Sequence, residues 1–193
     1  MNAQMLEGLC NRREMAGLSI TKQFEVYISV GSNIEPEENI PKALDKLKKY
    51  VRVVATSTFY RTRPIGRPEQ AFFLNGVWLI ETNKAPQELR FRVLRIIEEE
   101  LGRIRTEDKY APRTIDLDII LYGNAVIRGT ELVIPDPDIR RRNFIAIPLL
   151  ELNPSLVLPD TGKPISSLDI VKSDKGLTTL HAFTESLRER IGT

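Results

Sequence analysis

The chain has 193 residues, of which 41% are hydrophobic and 28% charged, with a formal net charge of +2. This length fits one domain, the apolar fraction suffices for a core without disulfides, and the near-balanced charge gives no sign of a nucleic-acid partner. Cys10 is the single cysteine, which excludes a disulfide framework and a thiolate metal cluster; with no apolar run fit for a membrane span or secretory signal, a cytoplasmic protein without membrane contact is expected.

Residues 1–22 are polar and lack a clear period, so they are expected as a peripheral tail before a single domain over 23–193. Val26, Ile28 and Val30 alternate with Tyr27 and Ser29 and run into Gly31-Ser32-Asn33, which reads as a first strand and its turn. Over 36–50, Ile40, Ala43, Leu44, Leu47 and Tyr50 share one helical face, with Pro36 and Pro41 near the start. A second strand is predicted over 51–60, a long loop over 61–70, and a third strand over 72–80, with Trp78 in the core. Pro86 and Glu88 open a second helix whose buried stripe is Leu89, Val93, Ile96, Ile97 and Leu101, and Gly102 ends it. A fourth strand spans 115–122, and two short apolar runs, 125–127 and 131–134, form a small hairpin. The order predicts an α+β fold, a ferredoxin-like βαββαβ sandwich with two helices on one face of an antiparallel sheet, an extra β-hairpin and C-terminal helices.

The run Arg113-Thr114-Ile115-Asp116-Leu117-Asp118-Ile119-Ile120-Leu121 carries the chemistry: strand alternation sets Asp116 and Asp118 on one face, with Ile115, Leu117, Ile119 and Leu121 toward the helices. Carboxylates about 5 Å apart at an effective dielectric of about 20 repel by roughly 3 kcal/mol, so a positive charge must offset them. Mg2+ accepts carboxylate and phosphate oxygens, and a pair of such ions suits phosphoryl transfer. Pairing with Arg103, Arg105 or Arg113 on a solvated sheet face is the plain alternative. The basic stretch 102–113, which leads straight into the aspartates, favours phosphate, because guanidinium forks match phosphate oxygens.

Arg140, Arg141 and Arg142 read as a solvated helix start. Phe73 and Asn75 share a strand face and could stack on and hydrogen-bond a flat heterocycle, although ordinary packing is the commoner use of such a pair. His181, the sole histidine, reads as surface or structural, which leaves a histidine base or metal cluster unsupported. The sequence has no phosphate-binding Gly-x-x-x-x-Gly-Lys-Ser/Thr loop, dinucleotide Gly-x-Gly-x-x-Gly or Ser-His-Asp set, so a nucleotide site must be built from sheet carboxylates and loop arginines.

Through Tyr27-Ile28-Ser29-Val30-Gly31-Ser32-Asn33, Phe59-Tyr60-Arg61-Thr62, Phe73-Leu74-Asn75, Gly102-Arg103-Ile104-Arg105 and, above all, residues 111–119, the chain resembles the 6-hydroxymethyl-7,8-dihydropterin pyrophosphokinases. The similarity extends over about 26–162. It implies pyrophosphate transfer from ATP to the pterin in folate biosynthesis, with two Mg2+ on Asp116 and Asp118 and with Arg103 and Arg113 also catalytic. On the nucleotide side it implies Glu98, Arg103, Arg105, Lys109, Tyr110, Arg113, Thr114, Ile119 and Arg142. On the pterin side it implies Gly31, Thr62, Ile65, Phe73, Asn75 and Phe144. Asp136 stands where the family usually has histidine, and Lys109 and Tyr110 replace an arginine and a tryptophan of some relatives. The expected partners are these small molecules, not nucleic acid, with a monomer as the default.

Two other classes fit part of the pattern. An RNA-binding module of the same layer would use sheet aromatics and basic loops, but Asp116 and Asp118 on that face repel phosphate unless metals intervene. A nucleotidyl cyclase or polymerase-like palm uses paired carboxylates but leaves Phe73, Asn75 and Phe144 without a role. Loops 61–70 and 103–113 are polar and punctuated by glycine and proline, and are expected to close over the substrates.

Overall fold

The computed structural model describes residues 22–108 and 110–192, so residues 1–21 of the tail expected before the domain and the assignment of Lys109 lie outside the described residues. Strand β1 (Phe24–Ser32) forms the middle of the sheet, paired antiparallel with β4 (Phe73–Thr82) on one side and β5 (Asp116–Tyr122) on the other. The far side of β4 carries β2 (Arg52–Thr56) along one half and β3 (Tyr60–Thr62) along the other, and β8 (Thr178–Thr179) extends the sheet beyond β3. The fold is therefore α+β with an antiparallel sheet. The hairpin β6 (Ile127–Arg128) and β7 (Val133–Ile134) lies where the sequence places it.

The strand expected over 51–60 is two strands. Ser57 interrupts it: its hydroxyl accepts the Val77 amide at 2.9 Å while its own amide donates to the Val77 carbonyl at 2.9 Å. Phe59 then turns fully into the core opposite Gly76, where a Cβ would lie 2.6 Å from the Phe59 ring.

Helix α1 (Pro36–Leu47) packs on one face of the sheet through Ile40, Ala43, Leu44 and Leu47. The second helical stretch runs as α2 (Pro86–Leu89), a π-helical turn Arg90–Leu94, and α3 (Arg95–Glu100). The π turn contributes an extra residue per turn and rotates the helical face of α3 relative to α2. Leu94 is consequently buried with Leu89, Val93 and Ile97, while Ile96, expected in the stripe, is 37% exposed. Gly102 adopts φ 77° as the chain leaves the helix.

The two helical stretches expected on one face share one core there, and the C-terminal segment covers part of the second face. Helix α4 (Asn143–Leu152) and short 3-10 turns at Ile165–Ser167 and Asp169–Lys172 cover Tyr27, Val77, Ile120 and Leu121. A register shift between Tyr27 and Ile28 against β5 moves Leu121 to this face, away from the α1 side where strict alternation put it. The last helix, α5 (His181–Ile191), returns to the α1 side, with Leu187 in that core and His181 exposed at its start. Trp78 is fully buried, as expected.

Candidate active site

The covered half of the second sheet face is apolar; its other half carries Ser29, Gly31, Phe73, Asn75, Asp116 and Asp118 and stays open. Register explains the grouping. Gly31 lies between Asn75 on β4 and Asp116 on β5, and Ser29 lies between Val77 and Asp118, so one pleat gathers polar groups from three strands. Thr62 and Ile65 close one side of the cleft, Tyr110 and Arg113 another, and Asp136, Arg142 and Phe144 a third, around a volume of about 440 Å³.

Both aspartates project into the cleft, and both meet guanidinium groups. Asp116 is paired with Arg103 and Arg113. Arg90 Nη1 lies 2.8 Å from Asp118 Oδ1. Burial acts to raise the proton affinity of Asp116, but Arg103 and Arg113 outweigh it and hold the carboxyl below its usual range. Asp118 is pushed up, first by burial and then by the charge of Asp116, against the opposing pull of Arg90. Its side chain is still 38% exposed to the cleft, so water tempers that push.

Beneath the aspartates lies Glu98, fully buried, which takes Arg103 at 2.5 Å, Arg105, and the Leu117 amide at 2.8 Å. Toward the other wall, Asn75 Nδ2 donates to Thr62 Oγ1 at 2.7 Å, while a Cβ on residue 31 would press to 2.8 Å from Asn75 Oδ1. Half-buried Phe73 and Phe144 face the same cleft.

Of the residues singled out from sequence, Gly31, Thr62, Ile65, Phe73, Asn75, Tyr110, Arg113, Asp116, Asp118, Arg142 and Phe144 come together at this cleft. Others do not line it. Ile119 is 2% exposed and packs in the core on the α1 side. Glu98 lies one layer below, where it holds Arg103 and Arg105. The Thr114 hydroxyl is buried without a partner among the described residues, and the Thr114 carbonyl accepts the Ser32 hydroxyl at 2.6 Å.

The arginine triplet read as solvated surface needs correction. Arg140 pairs with Asp160 at 2.6 Å, and the 3-10 turn Pro137–Arg140 delivers Arg141 and Arg142 to the cleft rim. Sequence reasoning passed over Arg90, whose position depends on the π turn, over Arg63 and Gln70, which come from a loop without a periodic signal, and over Asp138, which the short 3-10 turn brings to the rim.

The donor set fits Mg2+. No cluster of three or more metal-ligating side chains occurs among the described residues, and Mg2+ commonly takes one or two carboxylates, with substrate phosphates completing its shell. Two neighbouring carboxylates, one disfavoured in its charged form first by burial and then by its neighbour, supply such a half-shell.

The chain matches the model of the 7,8-dihydro-6-hydroxymethylpterin-pyrophosphokinase (HPPK) family over residues 27–154. It is 40% identical over 138 residues to the 2-amino-4-hydroxy-6-hydroxymethyldihydropteridine pyrophosphokinase of Haemophilus influenzae, covering 70% of this chain and 85% of that protein. It is 44% identical over 167 residues to the folic acid synthesis protein fol1 of Schizosaccharomyces pombe, covering 84% of this chain but only 22% of that longer protein. Among solved structures, Plasmodium falciparum HPPK-DHPS with pterin and p-hydroxybenzoate aligns with a TM-score of 0.60 at 14% identity, covering 89% of this chain and 44% of that one. A likeness at that identity speaks for the fold alone. By the family match and the relative it nearly spans, the chain belongs to the 7,8-dihydro-6-hydroxymethylpterin-pyrophosphokinase family.

Proposed function

We propose that this cleft transfers pyrophosphate from ATP to 6-hydroxymethyl-7,8-dihydropterin in folate biosynthesis, giving AMP and the pterin diphosphate. One observation carries the proposal: a carboxylate pair ringed by arginines and an aromatic-amide wall share a single cleft, so phosphate chemistry and heterocycle recognition meet. The arrangement is that of a ferredoxin-like layer, supported by the β5–β1–β4–β2 neighbour order, with the C-terminal segment added on the second face. The enzyme is proposed to act as a cytoplasmic monomer on small molecules; no described helix is long and apolar enough to cross a membrane.

Asp116 and Asp118 would hold two Mg2+ ions, which supply charge neutralisation for the polyphosphate when bound. Asn75, with Thr62 fixing its amide, reads the polar edge of the pterin, and Phe73 and Phe144 flank the ring. Arg113 and Arg142 reach toward the phosphates from opposite rims, Arg103 steadies Asp116 from below, and Tyr110 borders the nucleotide side. The pterin hydroxymethyl oxygen then attacks the β-phosphorus in line, the bond from that phosphorus to the α,β-bridging oxygen breaks, and AMP leaves. Asp118 would help take the hydroxyl proton, with alignment of the two substrates contributing more to the acceleration.

The test is the identity of the nucleotide product when the protein is given ATP, Mg2+ and the hydroxymethyl-dihydropterin. AMP that appears only with pterin supports the proposal, whereas ADP or a cyclic nucleotide rejects it. Asp116→Asn and Asp118→Asn should each abolish AMP formation with the circular-dichroism spectrum unchanged.

A further inference from the structure

The strand that carries the aspartates is an end strand of the sheet: β5 pairs with β1 on one side, and its other edge meets the second helical stretch and, at Ile120, the Asp136 amide beyond β7. Leu117, between the two aspartates, has both backbone groups taken by side chains from that stretch. Its amide donates to Glu98 Oε1 at 2.8 Å, and its carbonyl accepts from Arg90 Nη1 at 2.6 Å. Such groups on an edge strand otherwise seek water or another strand.

Arg90 does more than close the edge. The nitrogen bound to the Leu117 carbonyl also lies 2.8 Å from Asp118 Oδ1, so one guanidinium joins strand backbone to cleft carboxylate. The side chain is only 12% exposed, which restricts its alternatives. It reaches this place from the first residue of the π turn, whose widened hydrogen bond runs from the Arg95 amide to the Arg90 carbonyl. Extra residues of this type are frequent at functional sites, where they aim a side chain that regular helix spacing would misdirect.

We infer that Arg90 is a positioning residue: delivered by the π turn around the sheet edge, it fixes the Asp118 carboxylate in the orientation that the cleft uses. The inference rests on the proposed role of Asp118 in holding a divalent cation. A guanidinium that was merely a neighbouring charge would oppose cation binding, so its loss would tighten binding. A guanidinium that orients the carboxylate has the opposite signature, because its loss lets the ligand swing away.

The experiment compares wild type, Arg90→Gln and Arg90→Lys by Mn2+ titration monitored by electron paramagnetic resonance, with α,β-methylene-ATP present, beside steady-state kinetics and thermal melting. Gln keeps a donor for the Leu117 carbonyl and drops the charge; Lys keeps both. Arg90→Gln should weaken Mn2+ binding and lower kcat by about tenfold each, the usual scale for groups that orient metal ligands. The KM for pterin should stay within about twofold, and Arg90→Lys should recover most of both losses. Unchanged or tighter Mn2+ binding in Arg90→Gln overturns the inference, as does a fall in melting temperature with Mn2+ affinity and kcat intact. If Arg90→Gln does not fold, Arg90→Lys decides: near-wild-type Mn2+ affinity upholds the inference and tenfold weakening overturns it. A wild type that binds Mn2+ but forms no AMP would reject the proposed reaction while the titration still reports on Arg90.

Discussion

A Cβ on Gly31 would lie 2.8 Å from Asn75 Oδ1, a separation that side chains do not tolerate. The two residues face each other across the β1–β4 pairing, and Asn75 is in turn fixed by its bond to Thr62. Gly31 is therefore the space into which the Asn75 amide fits, and a methyl group there must displace the amide.

Gly31→Ala should act on pterin recognition more than on folding. Asn75 has the cleft to move into, so the strain is relieved at the cost of the Asn75–Thr62 bond, worth about 1 kcal/mol. The KM for pterin is expected to rise by about tenfold or more, because the amide no longer matches the heterocycle edge, while the ATP KM stays near wild type. Equal changes in both constants would show that residue 31 shapes the whole cleft instead.

Glu98 is a stability residue. Glu98→Ala leaves the Leu117 amide without its acceptor and strips buried Arg103 of one counter-charge. Breaking a buried pair from one side typically costs about 3–5 kcal/mol, and urea unfolding should show a loss of that order. Glu98→Gln keeps an acceptor for the amide and should lose less. Equal stability of Glu98→Ala and wild type would mean that water fills the gap.

Asp136 contributes charge where a triphosphate is proposed to lie. Its proton affinity is raised, chiefly by burial; the Asp138 amide opposes the rise, the Asp138 carboxylate adds to it, and Arg90 and Arg141 oppose it. The carboxylate also accepts the Asp138 amide at 2.7 Å, a cap that Asn can reproduce. Asp136→Asn thus removes charge and keeps structure. One unit charge in a wet cleft is worth about 1 kcal/mol, so the ATP KM should fall by about fivefold. An unchanged KM would place the polyphosphate away from Asp136.

The sequence made the chemistry more legible than its support. Period-two alternation is enough to put Asp116 beside Asp118 and Phe73 beside Asn75, because each segment pairs through without a slip. The same rule fails five residues beyond Asp116, at Leu121, because a bulge in the pairing carries no local signature. Periodicity likewise puts Ile96 in the buried stripe, and one π turn replaces it with Leu94 and brings Arg90 to the sheet edge. Apolar residues over 144–150 suggest a helix but not that it covers the second face beside the cleft; that depends on where the chain returns after the hairpin.

The two loops expected to close on the substrates already touch each other. Arg67 Nη2 meets Asp108 Oδ2 at 2.7 Å, Gln70 Nε2 donates to the Tyr110 carbonyl at 2.9 Å, and Gly66 lies against the Tyr110 ring. Asn33 Nδ2 donates to Gln70 Oε1 at 3.3 Å and ties the bridge to the end of β1. Arg67 and Asp108 both reach solvent, so their pair is worth less than about 1 kcal/mol and can open and reform during turnover. Arg67→Ala should therefore raise both KM values by a modest factor, about two- to fivefold, with stability unchanged. If opening of this bridge limits product release, kcat should rise in the same variant. Hydrogen exchange supplies the second measurement: amides of 63–72 and 103–108 should slow when the pterin and an ATP analogue bind together, and slow less in Arg67→Ala. Equal exchange with and without ligands, combined with an unchanged kcat, would show that these loops form a static wall rather than a gate.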